Sequence, residues 1–410
     1  MQLNTIQHEQ VKSLVKKEYF RRISSILKTQ LTSKHKIIAI NTLAIPVVRY
    51  ITRIVKWTQA EVLKMDTKTR KMLTTHRGFS KRSDVDRLYT KRCDGGRGLT
   101  SVHDCIQIEE VSINLYRHKS TRPILHKEVA EETSAKQARD AIQNQHRDNW
   151  RKKPLNGQYL QQLEEGIDTE RTFSWLTKGG LTIEAEGFIT AAQDQSLPTR
   201  SLLKIYNKVN SDRCRLCGKH AETVLNILCE CPHLAQTQYL ERHNQVARYV
   251  YWKIVHRYEA ANETWHWTNH QPPRVLENES IKILWDCNIY TDMKISARRP
   301  DIVLINKSTK TGLIIDINCP HDARVCTNEI GKMEKYTDLK IELERVWGTS
   351  FEIVAVVIGC LGAVSKKISN HLAKLGIHHS EIHMLQRMVI WSSCRILRKY
   401  ITQSGISSNC

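Results

Sequence analysis

The sequence predicts a protein of mixed α and α/β class, helical at first and α/β from about residue 276 to the end. Three observations predict it. Val11, Leu14, Val15, Tyr19, Ile23, Ile26 and Leu27 recur at three- and four-residue spacing, which is the period of an amphipathic helix. A tight group of cysteines and histidines lies between Cys214 and His233. After it, apolar runs at Ile302–Ile305, Leu313–Ile317 and Phe351–Ile358 read as strands, with a helix over Asn328–Trp347 between the second and third.

Composition narrows the function classes. The chain has 410 residues, which at roughly 100–200 residues per domain suggests several domains. Hydrophobic residues make up 40% and charged residues 26%, a globular balance that excludes wholesale disorder. Lys and Arg number 63 against 42 Asp and Glu, a net charge of +21 that predicts an acidic polymer as partner, nucleic acid first. The longest apolar stretch, Ile37–Val48, is broken by Asn41, Thr42 and Pro46, so no membrane span is expected. The first residues have no apolar core or small-residue cleavage site, so secretion is not expected, and clustered cysteines then point to a metal rather than to disulfides.

Taken in order, residues 1–57 carry 11 Lys/Arg against Glu9 and Glu18, a local charge of 11 − 2 = +9. Lys12, Lys16, Lys17, Arg21 and Lys28 lie mostly off the apolar stripe and are placed to meet phosphates. Ser33 is expected to cap a second helix through the apolar stretch, with Pro46 as a kink or end. Thr58 followed by Glu61 is expected to open a third helix, through Glu61–Leu73. Gly95-Gly96-Arg97-Gly98 marks a tight turn, either packed or close to a phosphate. Residues 105–150 read as charged helix, and Pro154, Gly157, Gly179 and Gly180 punctuate a linker over 151–205. A helix carrying Tyr239, Val246, Val250, Trp252 and Val255 follows the cysteine cluster, and a boundary falls at 259–275.

Two groups of residues carry chemistry. Cys214-x2-Cys217 with Gly218 places two thiolates on one turn, the shape of half a zinc knuckle. Cys231 is the expected third ligand, and Cys229, His220 or His233 supplies the fourth. Asp301 opens the strand Ile302–Ile305, and Asp316 lies on Leu313–Ile317. A hairpin of that length brings the two carboxylates together, where Mg²⁺ (or Mn²⁺) could share them and polarise a phosphodiester. Pro300-Asp301 followed by Asp316 resembles the nuclease core of restriction enzymes. That pattern has Lys two residues after the second acid, where this chain has Asn318. Lys332, Lys335, Tyr336 and Leu339 share a helical face, so Lys335, or else Lys332, is the expected replacement. Asp286 or Asp292 could add a third acid, and Arg298 and Arg299 are placed against the phosphate backbone.

Several of these stretches, in this order, resemble one family. They are Asn41–Val47, Gly95–Leu99, Ala192–Arg200, Cys214–Lys219, Arg298–Val303 and Lys335–Lys340. They resemble the carboxy-terminal part of the polyprotein of non-LTR retrotransposons with a restriction-like endonuclease, the R-two-like group. The resemblance implies a reverse transcriptase thumb over 1–120, a helical linker over 121–205, a zinc knuckle with its following helix over 206–258, and an endonuclease over 276–410. It implies nicking of DNA to prime copying of the element's RNA, a nuclear location, Mg²⁺ on Asp301 and Asp316 with Lys335 assisting, and Zn²⁺ on Cys214, Cys217 and Cys231. Lys16, Lys17, Arg21 and Arg22 would grip nucleic acid.

Two departures stand out. No Tyr/Phe-x-Asp-Asp sequence is present, so the polymerase palm is missing, no polymerase activity is expected, and the chain reads as a fragment or a decayed copy. The family's knuckle is Cys-x2-Cys-x8-His-x4-Cys, and Asn226 occupies the histidine position. The alternative reading is therefore an inactive relic that binds nucleic acid through the basic helices and the knuckle.

Overall fold

The computed structural model describes residues 8–121, 134–260 and 267–402. The chain combines many helices with one small mixed sheet, as the sequence predicts. It divides into two compact units. The first runs up to Gln161 and takes in Leu176–Leu197; the second comprises Gln162–Trp175 and the chain from Pro198 onward. The residues expected to form a linker are thus shared between the units. Among the described residues, no helix is long and apolar enough to cross a membrane.

The first unit is helical. Helix α1 (His8–Lys28) buries Val15, Tyr19, Ile23, Ile26 and Leu27, four- and three-residue steps along one face. Leu14, expected on that stripe, is 68% exposed. Lys12, expected off it, is buried because its ammonium reaches Glu9 and Glu61 at 3.1 and 3.0 Å. Helix α2 (Gln59–Thr75) begins where Thr58 predicts. The Glu61 N–H donates to the Thr58 hydroxyl, and the Thr58 N–H donates to the Glu61 carboxylate.

Ser33 does not cap its helix; Thr32 is the preceding N-cap residue. The Ser33 hydroxyl instead donates to Glu186 at 2.7 Å in the buried interior. Arg97, from the glycine-rich stretch, lies 2.6 Å from the same carboxylate, and Arg92 pairs with it too. Burial alone would raise the Glu186 pKa, but the two guanidinium charges hold it below the usual range.

The glycines of that stretch serve a packed turn. A Cβ at Gly96 would lie 2.1 Å from the Thr90 carbonyl oxygen, and the Gly98 N–H donates to that carbonyl at 2.8 Å.

The second unit holds helix α3 (Leu240–Arg257) and, after it, the sheet. The strand order is β1 (Val275–Glu277), β2 (Ile281–Trp285), β3 (Ile302–Asn306), β4 (Thr311–Asn318), β5 (Ser350–Val357). β1 to β4 form an antiparallel meander, and β5 returns parallel to β4. A parallel return needs a crossover. Helices α4 (Val325–Lys335) and α5 (Thr337–Trp347) supply it. The sequence predicts one helix over Asn328–Trp347; the chain bends at Tyr336 (φ −102°, ψ 6°) and makes two. Val246, Val250, Ile254 and Val255 of α3 pack in the same core as Ile302, Ile315 and Val354 of the sheet.

A methyl group at position 96 must push the turn off its own backbone. Gly96→Ala is expected to destabilise the helical unit by about 1–3 kcal/mol, read as a lower denaturant midpoint. An unchanged midpoint would mean that the turn opens freely.

Candidate functional site

Ile302 pairs with Ile315 across β3 and β4, so Asp301 and Asp316 are the next residues outward at that end of the ladder. One Asp301 oxygen accepts the Ile317 N–H at 2.6 Å. Asp316 is 3% exposed, on a strand flanked on both sides. Its two oxygens are served by different groups: Tyr336 donates its hydroxyl to Oδ1 at 2.6 Å, and the Lys332 ammonium lies 2.6 Å from Oδ2. Burial and the Asp316 charge push the Tyr336 phenol far above its ordinary pKa, so it stays a neutral donor.

Lys332 and Tyr336 are four residues apart, on the face the sequence predicts, and the bend at Tyr336 ends α4 where both reach Asp316. Lys335 is exposed and donates to the Tyr336 hydroxyl at 3.0 Å, one step removed from the carboxylate. Asn318 donates to Asn328 at 2.9 Å. Asp286 and Asp292 are engaged elsewhere. Asp286 holds Arg299 by two bonds of 2.7 and 2.6 Å, and Asp292 pairs with Arg345 at 2.7 Å. Arg298 is exposed.

Sequence reasoning missed His243. It projects from α3, and its Nε2 lies 3.1 Å from Asp301 Oδ2. A signal was present: it precedes Val246 and Val250 by three and seven residues, so it is a polar residue on an apolar face. Burial lowers the pKa of the ring. The hydrogen bond and charge of Asp301, with help from Asn244 and Asp316, more than reverse this and push it up to about 9. Both carboxylates therefore have a cationic neighbour. A cleft of about 740 Å³ is lined by His243, Asn318, His321, Arg324 and Asn328 among others, so it meets this group through His243, the partner of Asp301, and not through the carboxylates themselves.

The cysteine cluster is built by a short hairpin. The Cys214 N–H donates to His220 O at 2.7 Å, the Gly218 N–H donates to Cys214 O at 2.8 Å, and Gly218 takes the left-handed φ of 64° that the turn requires. Buried Glu222 fixes this turn by accepting from the Arg215 N–H and side chain and from the Arg200 N–H. The sulfurs of Cys214, Cys217 and Cys231 lie within 4.8 Å of one another, and the group could hold a metal ion. Backbone N–H groups of His220 and Lys219 bring the Cys217 thiol down to about 7, while burial and then the nearby Cys214 push Cys231 up to about 11. His220 and His233 are exposed and, like Cys229, outside that close group.

On the basic helix α1, Lys16 pairs with Glu61 at 3.0 Å. Arg21 and Arg22 both pair with Glu18, and Arg22 also donates to Leu43 O. Lys17 is exposed with no ion pair among the described residues. Pairs this exposed are weak and open to competition by phosphate.

Compared with known proteins, the chain matches no family model and no curated sequence.

The His243 pKa is raised on folding, so the His243–Asp301 pair stabilises fully below pH ~6.5 and fades as pH rises through about 9. The stability difference between wild type and His243→Gln, measured by urea unfolding, should shrink between pH 7 and pH 10. A difference that stays constant would show that the imidazolium is not the stabilising form.

Proposed function

We propose that the second unit is a DNA-nicking endonuclease of the restriction-like kind, part of a retrotransposon reverse transcriptase and endonuclease polyprotein. The observation that carries the reading is the convergence of Asp301, Asp316, Lys332, Tyr336 and His243 at the end of β3 and β4, beside a cleft. Two carboxylates at one end of the β3–β4 hairpin offer the all-oxygen donor set that Mg²⁺ prefers. Such an ion would polarise the phosphodiester and offset the charge that builds up during attack. Asp301 and Asp316 would hold it in competition with His243 and Lys332, their present partners.

The side chains divide the remaining work. Lys332 is a stronger candidate than Lys335 to steady an attacking water or a phosphate oxygen, because its ammonium is the one at the carboxylate. Tyr336 fixes the Asp316 carboxylate, and His243 fixes that of Asp301. Arg298 and Arg299, exposed just before Asp301, face solvent where a phosphate backbone could run. The three cysteines are proposed to hold zinc, which suits soft thiolate donors, and to stiffen the turn beside α3. Residues of α1, Lys17 foremost, would contact the nucleic acid.

A second reading rests on one observation. Each carboxylate already has a cationic partner, and such a site could be an inactive relic on a nucleic-acid-binding protein.

Nicking of supercoiled plasmid with Mg²⁺ separates the two. The nuclease reading expects nicking by wild type that disappears in Asp301→Ala and Asp316→Ala, falls by about 10²-fold or more in Lys332→Ala, and falls less in Lys335→Ala. A folded wild type that binds DNA and does not nick it favours the relic. Under either reading, replacing Lys17, Arg21 and Arg22 by Ala should flatten the salt dependence of DNA binding, by about 0.9 in log–log slope for each phosphate that is no longer neutralised. An unchanged slope would remove α1 from the interface.

A further inference from the structure

We infer that Asn226 stands at the fourth corner of the metal centre formed by Cys214, Cys217 and Cys231, so that the ion has three thiolates and one exchangeable position. The inference rests on the proposal that these cysteines hold zinc. Its first support is an unmet need. Asn226 is 1% exposed, yet neither its side-chain oxygen nor its side-chain nitrogen has a hydrogen-bond partner in the protein. Buried carboxamides are almost always bonded, and a pair of orphaned atoms calls for a partner that the protein does not itself supply.

Local geometry sets Asn226 beside Cys231. Asn226 opens a π-turn, Asn226–Glu230, and its carbonyl accepts the Cys231 N–H at 2.9 Å. A π-turn repeats after between four and five residues, so positions 226 and 231 leave it on the same side. The thiol of Cys231 belongs to the cluster.

The other donors are spent or distant. His220 and His233 are exposed and outside the close group. Cys229 is engaged with Cys360, on the side where Arg242, Cys319 and the cleft lie.

Chemistry then sets the character of the centre. A carboxamide is a neutral, hard oxygen donor and a poor match for an ion chosen by thiolates. Closed structural zinc sites use four soft or imidazole ligands, whereas three strong protein ligands leave a position that outside molecules can enter. The fourth corner here should therefore admit a small external donor of the imidazole or thiol class.

The test uses the full chain loaded with Zn²⁺ or with Co²⁺, whose visible absorption reports its ligands. Zinc affinity is measured by competition with a coloured chelator. We expect one zinc per chain and about tenfold tighter binding in Asn226→His, within the range by which a supporting ligand alters metal affinity. Added imidazole should shift the Co²⁺ absorption of wild type and leave that of Asn226→His unmoved. The inference is overturned if imidazole leaves the wild-type band in place. It is also overturned if Cys229→Ser, His220→Ala or His233→Ala loosens zinc as much as Cys231→Ser does. A wild type with native circular dichroism that binds no zinc defeats the zinc proposal itself, and the inference with it, a result distinct from the other two.

Discussion

The second unit is organised around a carboxylate held almost wholly out of solvent. Asp316 sits 3% exposed on β4 with β3 on one side and β5 on the other. A charge in that position is costly unless it is paired and hydrogen-bonded. The surrounding structure hydrogen-bonds Oδ1 and sets an ammonium beside Oδ2. Ending α4 at Tyr336 lets one phenol and one ammonium reach the two oxygens, and that same helix is part of the crossover that makes β5 parallel to β4. Removing either partner would leave Asp316 incompletely compensated, so the bend between the helices and the chemistry at the strand end stand or fall together.

Two neighbouring residues of α3 tie the carboxylate-bearing hairpin to the turn before the third cysteine. Arg242, 2% exposed on α3, donates to Leu228 O at 2.8 Å, Cys319 O at 3.3 Å and the Ser393 hydroxyl at 3.1 Å. Leu228 lies in the π-turn that leads to Cys231, and Cys319 follows the end of β4. His243, the next residue, grips Asp301. The turn that precedes the third cysteine and the end of the hairpin carrying the carboxylates are therefore held by neighbouring residues on a single helix.

Much of this was legible in the sequence, for identifiable reasons. Residues whose role depends on near neighbours could be read: the Thr58–Glu61 box, the α1 stripe, the strand that follows Asp301 and the strand that carries Asp316, and Cys214 with Cys217. What escaped depends on distant partners. Ser33 looks like a cap because nothing local announces Glu186, 153 residues away. The break at Tyr336 has no Gly or Pro to mark it, and the phenol there bonds Asp316, 20 residues earlier. Leu14 fits a loose apolar pattern but misses the buried face, and Lys12 is drawn inward by Glu61 on another helix. β1 and β2, short and interrupted by charged residues, acquire meaning only as partners of β3.

The chain passes between its two compact units three times, after Gln161, Trp175 and Leu197. The brief excursion over Gln162–Trp175 is an integral piece of the sheet-bearing unit. Trp175 is 1% exposed there, its backbone N–H donates to the Gln386 side-chain oxygen at 3.1 Å, and the Asp168 N–H donates to Val364 O at 2.9 Å. Neither unit can therefore be excised by a single cut or exchanged as a contiguous cassette. A recombination joint placed just before the cysteine cluster would deliver a sheet-bearing half lacking Gln162–Trp175, a piece of its own interior. Any rearrangement that moves this unit intact must begin upstream of Gln162 and carry Leu176–Leu197 along as a passenger, separated from the helices in which Glu186 is buried.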